Sequence, residues 1–314
     1  MAITTTLILD AIKRGVTIPA NQVRFTDADL LKFADEETES LLLPMITSIR
    51  QEFLVKSKTQ TCTANIQKYK IPYRAIGRTL RDLKLARTSD TTFIKTLAYV
   101  SPEDASVYTT TMSGEPFGFT VEGDYVKLLP TPLSADLSIV FYYLLKPSYL
   151  VATTSAGAIT AINTSTGVVT IGTAVTAFTS GASMDLVDGK SGCGVLAEDI
   201  VNTNVSSTSI TFTPADLPTG LAVGDYVTLS NQSPVFQMPD ELHQSLVQAV
   251  ICRVLEALGD TQLLTISGAR LEKMLDVAQQ LLTPRVESEL PVVLDRFGLL
   301  RQRPWVSRFR SNVS

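Results

Sequence analysis

The sequence predicts an α+β protein in which segments from both ends of the chain form an α-helical bundle and a large antiparallel β insertion lies between them. Apolar residues recur at helical spacing near both ends, whereas residues 59–237 contain short strand-like runs separated by turn clusters. Neither end could bury its apolar face alone, so the simplest fold packs the two ends against each other. An extended C-terminal arm, residues 284–314, completes the prediction.

The N-terminal helix of the predicted bundle lies within residues 1–58. Thr26 is a suitable N-cap, and Asp27 and Asp29 occupy the first turn, where the helix dipole favours negative charge. The apolar face that follows has a period close to 3.6 and consists of Leu30, Ala34, Leu41, Met45, Ile49 and Phe53. This pattern continues beyond Pro44, so we expect the proline to kink the helix without ending it.

The β insertion is predicted in two parts. Residues 59–147 form a first β section, in which alternating runs such as 137–143 are typical of antiparallel sheet. Residues 148–237 form an inserted second part, and the stretch 147–184 has no charged residue and is rich in Thr, Ser, Gly, Ala and Val. The β-branched residues at alternating positions favour a small sandwich or barrel there.

Helix returns in residues 238–283 as a predicted hairpin. Pro239 precedes the first helix, which closes at Gly259, and a second helix near 263–282 ends before Pro284. Apolar residues mark one face of each helix. We expect that face to pack against the N-terminal helix.

Composition bounds the possible functions. The formal net charge of −4 provides no overall attraction to nucleic acid or to an anionic membrane, and no apolar run approaches the length of a membrane span. The first seven residues lack a basic region, so we expect no signal peptide and synthesis in the cytoplasm. Cys62, Cys193 and Cys252 are scattered, which predicts reduced thiols rather than a metal or redox site.

Candidate catalytic chemistry is sparse. His243 is the sole histidine and accompanies no recognisable nucleophile, so we expect a surface or interface histidine. Gly189-Lys190-Ser191 resembles the end of a phosphate-binding loop, but Met184 occupies the position of the required earlier glycine, which favours a hairpin turn. Three acids are expected on the solvated face of the N-terminal helix: Glu36, Glu37 and Glu39. The sequence therefore predicts no enzyme, no metal site and no cofactor.

The C-terminal arm is the candidate site for binding a partner. Residues 296–314 contain five arginines, no lysine and no acid, interleaved with apolar and aromatic residues. The candidate docking residues are Arg296, Arg301, Arg303, Trp305, Arg308, Phe309 and Arg310. Arginine and aromatic residues are enriched at interface hot spots, which favours docking on a protein. A nucleic-acid arm and a solvated basic tail are the alternative interpretations.

Six short segments, spread over most of the chain, are packing and turn motifs rather than catalytic fingerprints. They are 25–31 (FTDADLL) with the Pro44-containing helix after it, 71–82 (IPYRAIGRTLRD), 142–150 (YYLLKPSYL), 237–243 (QMPDELH), 254–260 (VLEALGD) and 284–286 (PRV). In these segments the chain resembles the head-to-tail connector proteins (adaptor or neck proteins) of tailed bacteriophages. The stretch 147–184 departs from the resemblance, because it is longer than a minimal adaptor needs.

The resemblance implies a virion structural protein at the head–tail interface. Such a subunit repeats around a ring beneath the portal, usually in twelve copies, and bridges the portal to a tail, nozzle or tail-tube protein. DNA passes through the centre only as cargo. Two alternatives remain open: another neck or tail-tube component, and a β-sandwich module that binds carbohydrate or a cell surface. Exposed aromatic rings on the inserted β part would favour the second.

Overall fold

The structure, a computed structural model, describes residues 3–16, 25–88, 93–106, 112–190 and 194–283. It confirms the predicted α+β fold: helices from both ends of the chain share one core, and antiparallel sheets and a closed barrel lie between them. The helices are α1 (Thr5–Val16), α2 (Asp27–Glu37), α3 (Leu43–Ile49), α4 (Pro102–Ala105), α5 (His243–Leu258) and α6 (Thr261–Leu282). Within these described residues, no helix is both long and apolar enough to cross a membrane.

The predicted N-terminal helix is built from α2 and α3. Thr26 caps α2 as expected: its hydroxyl accepts the Asp29 backbone N–H, and the Asp29 carboxylate accepts the Thr26 N–H in return. A π-helical turn, Thr38–Leu42, joins the two helices directly before Pro44. Pro44 lacks the N–H that an α-helix requires, and the wider turn accommodates this gap so that helix continues to Ile49.

Helix α1 was not among the predicted elements. Its buried side chains include Ile8, Leu9 and Ile12, which pack in the same core as α2 and α5. Three threonines occupy positions 4–6, and β-branched residues weaken a helical signal at the level of sequence. The start of α1 is instead fixed by tertiary contacts, because the Thr5 N–H donates to Pro234 O at 2.9 Å and its hydroxyl donates to Val151 O at 2.8 Å.

The C-terminal hairpin follows the predicted pattern. A 3₁₀ turn, Asp240–Leu242, leads into α5, and Gly259 ends that helix with a φ of +77°. The Asp260 side chain then caps α6 by accepting the Leu263 N–H at 3.0 Å. The buried bundle core draws on α1, α2, α3, α5 and the C-terminal part of α6. It includes Ile8, Ile12, Leu30, Leu42, Ile46, Leu246, Val250, Val254, Ala278 and Leu282.

The first β section contains two four-stranded sheets that share a core. One sheet has the order β1 (Val55–Thr61), β10 (Leu137–Leu145), β3 (Ala75–Arg87) and β4 (Phe93–Thr96). The other has the order β2 (Lys68–Lys70), β8 (Tyr125–Leu129), β7 (Gly118–Glu122) and β5 (Ala98–Tyr99). A short parallel pair, β6 (Ser113–Gly114) and β9 (Thr131–Pro132), lies beside them. Tyr69, Leu83, Val126 and Phe141 are buried in the common core.

The inserted part is a closed six-stranded barrel, one of the two architectures expected there. Its strands, in spatial order, are β12 (Gly157–Asn163), β13 (Val168–Ile171), β16 (Ser209–Phe212), β15 (Val195–Ser206), β14 (Ser183–Val187) and β17 (Tyr226–Leu229). The barrel is filled by side chains that include Val169, Met184, Leu186, Ile210 and Phe212. Its two ends meet in a parallel pair, β11 (Tyr149–Leu150) and β18 (Gln232–Ser233).

Two glycines with left-handed backbones give a matched test of barrel packing. Gly167 has a φ of +72°, and a Cβ placed on it would lie 2.1 Å from the carbonyl oxygen of Phe212. Gly181 has a φ of +82°, but an added Cβ would meet nothing within 4 Å. We expect Gly181→Ala to cost about 1 kcal/mol through backbone strain alone, and Gly167→Ala to cost about 3 kcal/mol because the clash adds to the strain. Urea unfolding of both variants measures the difference, and equal losses would contradict the packing described here.

Candidate functional site

The predicted docking residues all lie outside the described residues. These are Arg296, Arg301, Arg303, Trp305, Arg308, Phe309 and Arg310, and the described chain ends at Thr283, directly after α6. The docking hypothesis for the arm therefore stays a prediction. The described residues contain three other features that bear on function: a buried ionic junction, a polar contact between α2 and β11, and two sets of exposed apolar residues, one on α6 and one on the first β section.

A buried ion pair joins the first β section to the barrel. The Arg74 guanidinium precedes β3, and its Nη1 lies 2.6 Å from Oδ2 of Asp185 on β14, with both side chains almost fully buried. Asp185 also accepts the backbone N–H groups of Asp199 at 2.9 Å and Asn231 at 3.0 Å. Both carboxylate oxygens are thus held by partners. Such a pair fixes the position of the barrel against the sheet in one orientation.

The same guanidinium links this pair to the helical bundle. Nη2 of Arg74 donates to the Ser148 hydroxyl at 2.6 Å, and the Ser148 backbone N–H donates to Oε1 of Gln237 at 2.8 Å. Gln237 lies six residues before the first residue of α5 and one residue before Met238, a member of the bundle core. One side chain therefore connects the barrel, the first β section and the chain that leads into the bundle.

A second layer of polar groups surrounds the buried pair. Lys58 on β1 lies 3.8 Å from Glu198 and 3.6 Å from Asp199, both on β15. Glu198 also accepts the Tyr143 hydroxyl, and Asp199 accepts the Tyr73 hydroxyl at 2.7 Å. Each of these contacts joins the first β section to the barrel. Like the Arg74–Asp185 pair, they hold the barrel against the sheet.

Burial dominates the protonation chemistry of this junction. It raises the pKa of Asp185, and the adjacent Arg74 charge and two backbone N–H donors act against that shift. Burial and the nearby Glu198 carboxylate raise the pKa of Tyr143, so its phenol is held protonated as a hydrogen-bond donor. Burial lowers the pKa of Lys56, whose ammonium donates to the Val195 carbonyl at 2.6 Å. The arrangement favours fixed structural contacts, because each of these side chains makes at least one hydrogen bond or ion pair across the junction.

An irregular strand places Arg74 at the junction. Gly77 and Arg78 both have left-handed backbones, with φ values of +59° and +55°, and the pairing of β3 with β10 shifts register on either side of Tyr143. The Arg74 carbonyl accepts the Lys146 backbone N–H at 2.8 Å, which holds the turn to the end of β10. The basic turn in segment 71–82 is therefore the element that directs this guanidinium toward the barrel.

Three of the segments that carry the family resemblance converge at the junction. Arg74 belongs to segment 71–82, Ser148 to segment 142–150, and Gln237 to segment 237–243. These segments are separated by dozens of residues in sequence, yet one hydrogen-bonded chain links them through the Arg74 side chain, the hydroxyl and backbone N–H of Ser148 and the Gln237 side chain.

A polar contact also joins α2 to the neck of the barrel. The Asp35 carboxylate accepts the backbone N–H of Leu150 on β11 at 2.8 Å. Burial raises the pKa of Asp35 to about 7, with a further contribution from Glu39, while the Leu150 N–H and Lys146 oppose the shift. Lys146 pairs with Glu39 at 2.7 Å across the same interface.

The other chemical candidates have ordinary surroundings. His243 is half-buried at the start of α5, and burial lowers its pKa. Lys190 lies in the connection between the paired strands β14 and β15, as expected of a hairpin turn. Cys62 is buried, Cys252 is partly buried, and Cys193 lies outside the described residues. Among the residues that the structure describes, no group of three or more His, Cys, Asp or Glu side chains is placed to hold a metal ion.

Of the three acids expected on the solvated helix face, two form ion pairs with residues of other elements. Glu36 is exposed and lies 3.8 Å from Arg253 on α5, while Glu39 pairs with Lys146. Burial raises the pKa of the third, Glu37, against the attraction of Arg253. They tie α2 to its neighbours and form no acid–base pair directed at a cleft.

Helix α6 leaves an apolar face in solvent. Leu263, Ile266, Val277 and Leu281 form the α6 stripe, and each has about half or more of its surface exposed. The helical repeat places Arg270 and Lys273 on the same side of α6. They separate the stripe into an N-terminal end, Leu263 and Ile266, and a C-terminal end, Val277 and Leu281. Only Ala278 and Leu282 are fully buried in the whole helix, which is unusual for a helix of this length in a closed core.

The first β section exposes a second apolar surface, here called the β tip. It consists of Phe93, Tyr99, Met112, Phe117 and Leu133, all more than two-fifths exposed. Phe93 pairs with Ala86, next to the Leu137 end of β10, whereas Leu144 at the other end packs on the bundle. Nine residues of β10 span about 27 Å, so Phe93, at the far end of this strand, lies well away from Leu144 and the bundle.

The sequence matches no known protein family and no curated protein.

Sequence reasoning missed the junction because its members are ordinary residues far apart in the chain. Arg74 belongs to a segment of packing and turn motifs, 71–82, and Asp185 belongs to none of the segments that carry the resemblance. A charged residue inside an otherwise apolar strand was the available signal: Asp185 lies between Met184 and Leu186, and both neighbours are fully buried. Charges in that position are rarely buried unless they are paired.

Because Arg74 is buried at the junction and Arg78 is partly exposed, replacing Arg74 should destabilise the protein far more than replacing Arg78. Arg74→Met leaves the Asp185 charge buried without its partner, so we expect a loss of about 3–5 kcal/mol in the free energy of unfolding. Arg78 is one-third exposed and lies 4.0 Å from Asp124, so Arg78→Met should cost less than about 1 kcal/mol. Urea unfolding measures both. Adding Asp185→Asn to Arg74→Met should recover part of the loss, and a loss no larger than that of Arg78→Met would show that the pair is not a constraint.

Asp35 predicts a pH dependence with a definite sign. Its pKa is about 7 in the fold against an ordinary value of 3.8, so the folded protein binds the proton more tightly than the unfolded chain does. Stability from this group is therefore complete below about pH 4 and declines as the pH rises toward 7. Asp35→Asn keeps an oxygen to accept the Leu150 N–H and removes the titration.

We expect Asp35→Asn to gain stability relative to the wild type as the pH rises from 4 to 8. Unfolding free energies measured across that range give the comparison. Glu36→Gln removes a carboxylate from the exposed side of the same helix and serves as the control. A difference between Asp35→Asn and wild type that stays constant with pH would contradict the assignment.

Proposed function

We propose that the chain is a structural subunit of a tailed-phage virion, a head-to-tail connector whose copies form a ring beneath the portal. The observation that carries the proposal is the junction, where three segments resembling connector proteins meet through Arg74, Ser148 and Gln237. A ring subunit transmits position from one layer to the next, so it benefits from a fixed angle between its bundle and its β units. No catalytic role is assigned to any residue.

Separate apolar surfaces support a bridging role. The N-terminal end of the α6 stripe, Leu263 and Ile266, belongs to the bundle, while Phe93 of the β tip lies at the far end of β10. Exposed apolar patches on soluble proteins commonly mark contacts with other proteins. Two such surfaces on opposite parts of one subunit suit a protein that bridges a portal on one side and a tail, nozzle or tail-tube protein on the other.

The C-terminal arm completes the proposal. We assign its docking to the portal, with Trp305 and Phe309 as apolar anchors and the arginines as orienting contacts. The proposed location is the neck of the virion, and DNA is only cargo in the channel. The proposed assembly is a cyclic homo-oligomer of twelve copies on the portal. Membrane binding has no part in it.

A carbohydrate-binding module is less well supported by the barrel. Sugar sites present an exposed aromatic ring, but Phe178 and Phe212 are buried in the barrel core. Tyr226 is partly buried, and the exposed ring of Tyr149 lies on β11, outside the closed barrel. Another neck or tail-tube component is the nearer alternative, and the number of copies bound to a portal would separate it from a connector.

The arm should show an ordering of effects when the chain binds purified portal rings. We expect Trp305→Ala to weaken binding by about 2 kcal/mol or more, because a buried indole is a typical hot spot. Arg310→Ala should cost less than about 1 kcal/mol, as exposed ion pairs do. Binding is measured for the wild type and both variants at two salt concentrations, and electron microscopy of the wild-type complex counts the copies. We expect a closed ring of twelve.

DNA binding under the same conditions is the control. If the arm bound nucleic acid, each arginine would matter similarly and affinity for DNA would fall steeply with salt. Removal of residues 296–314 that abolished DNA binding but left portal binding unchanged would refute the docking role of the arm. A single bound copy, or an open filament, would refute the ring.

A further inference from the structure

A groove opens where α1, α5 and α6 meet. It encloses about 360 Å³, and its apolar floor is formed by Ala11, Val247, Ile251 and Met274. Helix α1 approaches closely here, since a Cβ on Gly15 would lie 2.3 Å from Cδ1 of Ile251. The groove therefore lies beside a close contact between α1 and α5.

Two arginines stand at the rim of the groove, one on each side. Arg14 is in the last turn of α1, and Arg270 is in the middle of α6. Nε of Arg14 donates to the Asp10 carbonyl at 3.1 Å. Among the described residues, neither guanidinium lies within salt-bridge distance of a carboxylate, so both have donors left for an acidic ligand.

The C-terminal end of the α6 stripe leads from this groove to the end of the helix. Met274 is on the groove floor, and Val277 and Leu281 follow it at helical spacing, both about half exposed. An apolar path thus connects the groove with Leu282, where α6 ends. Any chain leaving that helix begins its course beside this path.

The residues that continue the chain have matching chemistry. The segment 286–295, VESELPVVLD, contains three acids, five aliphatic residues and no basic residue. The arm beyond it has the opposite character, with arginines and no acids from 296 onward. The acids that could reach the two rim arginines are Glu287, Glu289 and Asp295.

The segment is long enough to reach the groove in its own subunit. Met274 lies eight residues before Leu282, which is about 12 Å along the helix axis. Seven extended residues after Leu282 can span about 23 Å, so Glu289 and Leu290 can return as far as the groove with length to spare.

We propose that residues 286–295 fold back along α6 of the same subunit and dock in this groove. The aliphatic side chains cover Val277, Leu281 and the groove floor, and the acids pair with Arg14 and Arg270. The occupant is a segment of the chain itself, chosen by charge complementarity and by reach, and the inference holds whether or not the chain is a connector. The N-terminal end of the α6 stripe stays uncovered.

Photo-crosslinking in the full chain tests the proposal. A benzophenone amino acid replaces Leu290, and the crosslinked peptides are identified by mass spectrometry after irradiating an equal mixture of ¹⁵N-labelled and unlabelled protein. We expect crosslinks to α1, α5 or α6 within single copies. The same probe at Leu299 is the matched control and should not label the groove. Crosslinks that join labelled to unlabelled copies would assign the groove to a second subunit and overturn the proposal, as would an absence of crosslinks to all three helices.

Charge reversal separates the ionic contribution from apolar contact. Arg14→Glu combined with Arg270→Glu should lower the crosslinking yield at Leu290 about tenfold. The two new carboxylates repel the acids of the segment, whereas the two arginines attract them. Adding Glu287→Arg and Glu289→Arg should restore the yield. Arg253→Glu, on the exposed side of α5, is the control and should leave the yield unchanged. Circular dichroism checks that each variant is folded, and Arg14→Gln with Arg270→Gln replaces any variant that is not. An unchanged yield in the folded variants would overturn the ionic pairing.

Discussion

The rest of the structure depends on the ion pair between Arg74 and Asp185. A guanidinium and a carboxylate removed from water are tolerated only when their remaining hydrogen-bonding groups are also engaged. Here Ser148 accepts from Nη2 of Arg74, and the backbone N–H groups of Asp199 and Asn231 donate to the two Asp185 oxygens, which leaves only Nε of Arg74 without a partner among the described residues. These directional contacts favour one relative placement of sheet and barrel. A shift of either unit would leave a charge buried without its partner.

Such a pair contributes more to specificity than to stability. Replacing a buried ion pair by apolar side chains of similar volume is often neutral or stabilising, whereas removing one partner is costly. The cores of the bundle, the first β section and the barrel are separate clusters of apolar side chains. Apolar packing accounts for the stability of each unit, and directional polar contacts then determine how the units are oriented. Two polar contacts near the start of the barrel follow the same pattern. Asp35 on α2 accepts the Leu150 N–H, and Lys146, directly after β10, pairs with Glu39.

The sequence predicted what depends on local pattern and missed what depends on distant contacts. The Thr26 cap, helix through Pro44 and the Gly259 stop were all foreseen, because each is encoded within a few residues. Helix α1 was missed, since its start is fixed by hydrogen bonds to Val151 and Pro234. The junction was missed for the same reason on a larger scale. The α6 stripe could have been noticed, because Leu263, Ile266, Val277 and Leu281 recur at helical spacing outside the face assigned to the core.

The parallel pairing of β11 with β18 has a consequence for how such a chain can change over evolutionary time. Adjacent strands lie about 4.8 Å apart, so the whole barrel is attached to the body through two neighbouring points. The barrel could therefore be replaced by another domain whose two termini lie close together, and β11 and β18 would remain paired. Asp185 limits that freedom, because Arg74 remains behind in the body. Modular exchange at this neck would therefore select for replacement domains that bring a carboxylate to the same place.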